Sequence, residues 1–308
     1  MSPFPRLRAR SRVLPATFAA VLLASALAGC SSSAAPPDTR IPVVASTNVY
    51  GDIAMAIGGS AVRVDSIIAD PSQDPHSYEA DARVQLALSR ATLVIENGGG
   101  YDDFVDTLLR GAANTQATVL NAADISGYDQ HPAGGDFNEH LWYDFPTVAK
   151  VAARISAELT RIDPSRASSF ATRLAAFDAK LATLRAAEAA VAATARGTGV
   201  AITEPVPLYM LEAMGLVDRT PEGFSAAIEQ GTDVSPALLR QTLALFSGHR
   251  VALLAYNAQT SSVETDAVTR AAKAAGIPVI AVYETVPAGV DYLGWMTRMV
   301  DQIAKAVQ

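Results

Sequence analysis

From Ser165 to Arg196 the chain reads SRASSFATRLAAFDAKLATLRAAEAAVAATAR, thirty-two residues with neither glycine nor proline. Phe170, Leu174, Phe177, Leu181, Leu184 and Val191 recur at helical spacing along one face. Asp163-Pro164 stands before the segment, and Gly197 and Gly199 end it. At 1.5 Å per residue, ~30 helical residues make a rod of ~45 Å, about the span of two small lobes. A rod of that length needs folded structure to pack on at both ends.

The sequence supplies it. Ile41–Thr47 (IPVVAST) reads as a strand followed by a helix to Gly58-Gly59, and Val62, Val64, Ser66 and Ile68 alternate as a second strand. Ala80 to Arg90 is helical, Ala91–Asn97 is a buried strand stopped by three glycines, and Asp102 to Arg110 is a short helix before the strand ATVLN. A long glycine-bearing loop from Asp124 to Asp144 precedes a helix carrying Val148, Val151, Ile155, Leu159 and Ile162 on one stripe. Beyond the rod the same grammar returns: strands at Gly199–Thr203, Val251–Asn257 and Ile277–Tyr283, with helices between and after them. The expected fold class is α/β, two lobes with mostly parallel sheets bridged by one long helix. The expected divisions are a leader at 1–29, a tether at 30–40, an N-terminal lobe at 41–164, the linking helix at 165–196 and a C-terminal lobe at 197–308.

The leader sets the compartment. Arg6, Arg8, Arg10 and Arg12 precede an apolar run from Val13 to Ala28, and Leu27-Ala28-Gly29-Cys30 follows the pattern of a bacterial lipobox. The apolar run is shorter than the ~20 residues that span a bilayer. Cys30 is the only cysteine, so no disulfide is available, and lipidation accounts for an exported thiol that has no pairing partner. The stretch SSSAAPPDTR then reads as a flexible tether. Net charge is −7, and −11 once the four leader arginines are removed. An acidic exported chain without a basic patch excludes nucleic acid as a partner and suits cations.

Ligands in open parallel sheets bind outside the carboxyl ends of the strands. His76 lies in the loop after the second strand, Glu204 follows Gly199–Thr203 directly, and Glu284 follows Ile277–Tyr283 directly. His140 ends the long loop just ahead of a helix. Each alone has an ordinary explanation: a solvated loop histidine, an imidazole packed beside Trp142, an acid at a helix N-terminus, an acid in a turn. Together, two imidazoles and two carboxylates make a transition-metal donor set. His131 shares the long loop as a possible auxiliary ligand, and His249 reads as structural. The NGGG run is a turn without the spacing of a phosphate loop, and neither HExxH nor GxSxG occurs.

These residues resemble a known family, the metal-binding receptors of bacterial zinc/manganese ABC importers. Asp74-Pro75-His76-Ser77-Tyr78-Glu79 matches the turn that carries the family's first ligand histidine, and His140-Leu141-Trp142 matches the segment that carries the second. VIENGGGYDDFVDTLL is similar to the stretch after the family's third strand, and the likeness runs from about Ile41 to the C-terminus. The resemblance implies two α/β lobes bridged by one helix, with the metal clamped between them by His76, His140, Glu204 and Glu284. The third ligand is histidine in zinc-type members and often glutamate in manganese-type members. The fourth is usually aspartate, one methylene shorter than Glu284. A zinc-type histidine-rich loop is reduced here to His131 and a few acids.

The expected function is therefore a monomeric receptor, lipid-anchored on the extracytoplasmic face. It takes Zn2+ or Mn2+ as cargo and passes it to an ABC transporter permease, without catalysis. Two neutral imidazoles and two carboxylates cancel a 2+ charge and fill four positions, whereas catalytic zinc keeps one position open. The alternatives are an exported metallohydrolase using the same cluster, which would need a general base, and an adhesin or receptor for a metal chelate, which would need an aromatic or basic cleft.

Overall fold

The computed structural model describes residues 38–70, 73, 78 and 82–308, and residues 40–308 form one compact unit. The lipobox cysteine Cys30 and the turn histidine His76 lie outside the described residues. The N-terminal lobe runs β1 (Ile41–Thr47), α1 (Asn48–Gly58), β2 (Val62–Ile68), α2 (Ala82–Arg90), β3 (Leu93–Glu96), α3 (Phe104–Gly111), β4 (Thr118–Asn121), α4 (Ala122–Ser126) and α5 (Phe145–Ile162). The rod is α6 (Ala167–Ala195). Beyond it come β5 (Gly199–Ile202), α7 (Leu208–Ala213), β6 (Val217–Asp218), α8 (Glu222–Glu229), α9 (Pro236–Ser247), β7 (Leu254–Asn257), α10 (Val263–Ala274), β8 (Val279–Val282) and α11 (Tyr292–Val307). Among the described residues no helix is long and apolar enough to cross a membrane.

Both sheets are four-stranded and parallel throughout, in the orders β2-β1-β3-β4 and β6-β5-β7-β8. The expected α/β class with parallel sheets and a bridging helix is what the chain forms. In each order the strand sequence reverses at one point, between β1 and β3 in the first lobe and between β5 and β7 in the second. Open parallel sheets bind ligands at such crevices.

The rod departs from its expected bounds for a local reason. Asp163 accepts a bond from the Ser165 backbone N–H (3.2 Å) and opens a 3-10 turn at Pro164–Arg166, so the α-helix proper starts at Ala167. Its 29 residues span about 43 Å. The buried positions Phe170, Phe177, Leu181, Leu184, Glu188 and Val191 form one seam, with an acid inside an apolar stripe. The helix packs on α1 and α5 of one lobe and on α11 and α7 of the other. One hydrophobic core therefore passes from Ile53 and Ile57 through Phe177 and Leu181 to Met296 and Ile303.

Hydrogen bonds also stitch the lobes. Asn48 exchanges two bonds with the Val286 backbone, donating at 3.0 Å and accepting at 2.8 Å. The Tyr292 hydroxyl donates to the Trp142 carbonyl (2.6 Å) and the Tyr143 hydroxyl to the Tyr283 carbonyl (3.1 Å). The long loop is shorter than its sequence reads, because α4 takes its first residues and a 3-10 turn at Leu141–Tyr143 takes its last. Besides α4, two elements are additional to the sequence reading: β6, only two residues long, and α8, which follows Pro221.

Candidate metal site between the lobes

The N-terminal lobe presents His140 and Tyr101. Gly98, Gly99 and Gly100 after β3 all have positive φ (72°, 68° and 95°), a backbone that β-carbon-bearing residues resist. The Asp102 carboxylate closes this turn by accepting from the Asn97 and Gly98 backbone N–H groups, each at 2.7 Å. The closed turn directs Tyr101, 2% exposed, across the lobe boundary, where its hydroxyl donates to Glu284 Oε2 (3.2 Å). Burial and the nearby Glu284 carboxylate hold the Tyr101 hydroxyl well above its ordinary pKa, so it remains a donor at any physiological pH.

His140 is fully buried between Trp142 and Tyr101, with ring centroids at 5.2 and 6.2 Å. Its Nδ1 lies 2.8 Å from Asn138 Oδ1, and the Asn138 amide N–H donates to the Pro205 carbonyl at 3.2 Å. The amide orientation is thus set from the far side, and its oxygen can only accept. Nδ1 then carries the proton, and Nε2 presents the lone pair a metal would take.

The C-terminal lobe presents two acids. Glu204 and Glu284 lie two residues beyond β5 and β8 and are 3% and 1% exposed. Between them, at the end of β7, sits the fully buried Asn257. Its amide nitrogen donates to Glu204 Oε2 and to Glu284 Oε1 (2.8 Å).

The structure thus links Glu204 and Glu284 through Asn257, and places His140 and Glu284 on two sides of Tyr101. The group of potential ligand atoms within 4.8 Å of one another among the described residues is a different one: Glu139, His140 and Glu229. Glu229 Oε1 stands 3.6 Å from His140 Nε2. Both acids line a cavity of about 760 Å3 at the lobe boundary, together with Asp103, Asp136, Glu222 and the exposed His131. His249 is an exposed turn residue in left-handed backbone (φ 48°).

Residues 43–306 match the family model described as ZnuA, zinc-uptake complex component A periplasmic. The chain belongs to this family. Its members are solute-binding receptors, not enzymes. Among curated relatives, the manganese-binding lipoprotein MntA of Bacillus subtilis (strain 168) is 30% identical over 157 residues, covering 49% of this chain and 51% of that protein. The iron ABC transporter substrate-binding lipoprotein MtsA of Streptococcus pyogenes serotype M1 is 24% identical over 251 residues, 75% of this chain and 80% of that one. The match to MntA and to the other first-ranked curated relatives spans about half their length. The periplasmic zinc-binding protein TroA of Treponema pallidum superposes with a TM-score of 0.72 at 20% identity, covering 87% of this chain and 99% of that one. At that identity the superposition speaks for the fold alone. Its coverage extends over both lobes and the helix between them.

Glu139, Glu229, Asn257 and Tyr101 are residues around this candidate site that sequence reasoning missed. Asn257 was within reach of it, since it ends a C-lobe strand as Glu204 and Glu284 follow theirs. Tyr101 also had a signal, following directly on a triple glycine that ends a buried strand.

Proposed function

We propose that this protein is an extracytoplasmic receptor, anchored through lipidated Cys30, that captures a divalent transition metal, zinc or manganese, between its lobes and delivers it to the permease of an ABC importer. The proposed ligands are His76, His140, Glu204 and Glu284. The observation that carries the reading is the arrangement at the strand ends, where Asn257 links the buried carboxylates of Glu204 and Glu284, and Tyr101 donates to Glu284 while its ring meets the buried imidazole of His140. Buried acids of this kind are stable when a cation or donors compensate them. Family membership supports the receptor role, and the relatives' names span manganese, iron and zinc.

The test is metal titration of residues 31–308, with zinc and manganese, for wild type and for His76→Ala, Glu204→Ala and Glu229→Gln. One-to-one binding lost in His76→Ala and Glu204→Ala but kept in Glu229→Gln supports the four-ligand set. Binding that survives the first two changes and fails in Glu229→Gln moves the site to Glu139, His140 and Glu229. Affinity should also fall as the pH drops through about 6, as histidines with reference pKa near 6.5 take up protons. A flat affinity from pH 7.5 to 5 would oppose a two-histidine site.

Release follows from the shared core. Lobes joined by one continuous core and by direct hydrogen bonds do not swing apart, so the segment between α4 and the turn at Leu141 is the part that rearranges. Amide exchange in residues 127–140 should slow on metal loading while exchange in α6 and both sheets stays unchanged. Equal protection of the loop with and without metal would refute local gating.

A further inference from the structure

Glu204 and Glu284 come from strands that are not neighbours. In the order β6-β5-β7-β8, β7 lies between β5 and β8, so any direct link between the two acids must pass over the end of β7. Asn257 is the residue there. Its amide nitrogen has three acceptors: the nearer two are Glu204 Oε2 and Glu284 Oε1 (2.8 Å), and Thr260 Oγ1 lies farther off at 3.3 Å. The amide is itself fixed. The Asn257 backbone N–H donates to Thr203 Oγ1 (2.9 Å), and its Oδ1 accepts from the Gln259 N–H (3.0 Å). The opposite amide orientation would aim an oxygen at two carboxylates and abandon Gln259. The loop carrying Glu284 is held as well, since Gln259 Oε1 accepts from the Glu284 N–H (2.6 Å) and the Thr285 N–H (3.2 Å). From the other lobe, Tyr101 donates to Glu284 Oε2.

We infer that Asn257 is the residue that sets metal preference, by holding Glu204 and Glu284 to ligation through one oxygen each and so favouring four-coordinate zinc over manganese. The inference rests on the proposed ligand set of His76, His140, Glu204 and Glu284. Two imidazole nitrogens and two single carboxylate oxygens make the tetrahedral shell that zinc adopts. Manganese favours octahedral, oxygen-rich coordination, which four residues approach when a carboxylate turns to chelate with both oxygens. A carboxylate gripped by a fixed buried amide does not make that turn. Outer-shell donors of this kind orient ligands and typically change affinity by about 10–100-fold when removed.

The experiment compares wild type with Asn257→Ala by zinc and manganese titration, and records the visible spectrum of both proteins loaded with Co2+, a stand-in whose four-coordinate complexes absorb far more strongly than six-coordinate ones. The expected result is strong cobalt absorption in wild type, a zinc affinity lower by about 10–100-fold in Asn257→Ala, and a zinc-to-manganese ratio that falls by about tenfold or more. Weak, six-coordinate cobalt absorption in wild type overturns the inference without recourse to any variant. An equal loss for both metals in Asn257→Ala overturns it too, because a merely structural role would weaken both alike. Failure of the underlying site reading has a different signature: wild type binds no metal one-to-one, or its binding is untouched by His76→Ala and Glu204→Ala.

Discussion

Trp142→Ala should destabilise the protein by about 3–5 kcal/mol, the range for deleting a fully buried large aromatic side chain. Trp142 is completely buried and meets Tyr101, His140 and Tyr143 at ring-centroid distances of 5.0, 5.2 and 6.3 Å. The cavity cannot collapse easily, because the backbone at this position is tied to the other lobe through Tyr292. Trp142→Phe should cost much less, since the indole N–H makes no hydrogen bond among the described residues and nothing polar is orphaned by losing it. Urea unfolding read by the remaining tryptophan, Trp295, compares the two variants. The alanine variant should also bind metal more weakly, having removed one wall of the His140 ring. A loss below about 1 kcal/mol in Trp142→Ala would mean that the aromatic cluster is not packed as described.

Glu188→Gln should stabilise the protein at alkaline pH and leave it nearly unchanged in acid. Glu188 lies in the apolar seam of α6, 4% exposed, with its Oε1 unbonded among the described residues. Burial, and secondarily the Asp144 carboxylate, push its pKa from 4.5 up to about 8, with Arg185 opposing. Tyr143, Asp144, Arg185 and Tyr209 face it across a cavity of about 230 Å3. Between pH 4.5 and about 8 the folded chain keeps a proton that the unfolded chain releases. Stability from this group is therefore present below the unfolded pKa and declines as pH rises to the folded one. Glutamine imitates the protonated acid at every pH. The variant should gain on wild type across that window, by up to about 1.4 kcal/mol per pH unit. Unfolding curves for both proteins at pH 5.5 and 8.5 test this, and a difference that does not change with pH would contradict it.

Much of this architecture is written in local pattern. The rod shows because six apolar residues keep helical phase over more than twenty positions, and the lobes show because strands and helices alternate on both sides of it. His140, Glu204 and Glu284 stood out as candidates because they are chemically conspicuous residues at or beside the ends of regular elements. Glu229 did not. It closes a helix of eight residues whose apolar contacts come from Phe224 and Ile228, too short a stretch to declare its period, and its nearness to His140 exists only once the lobes meet. Asn257 is no metal ligand, and its part depends on strand order. Order in a sheet is a property of the whole fold: β7 lies between β5 and β8 although it follows β5 by about fifty residues. The short β6 was illegible for a simpler reason, since two residues carry no alternation at all.

The packing of α11 on α1 bears on how the molecule comes to be folded. The Tyr292 N–H donates to Asp52 Oδ2 (2.7 Å), a contact between residues 240 apart in sequence. Met296, Met299, Val300 and Ile303 complete the same core that Ile53 and Ile57 begin. Closing so large a loop must precede the burial that rewards it, and chains dominated by such distant pairings fold slowly. The early residues therefore spend the interval with apolar surface uncovered. The same closure that makes the finished protein stiff leaves the nascent chain exposed to aggregation until its last helix arrives.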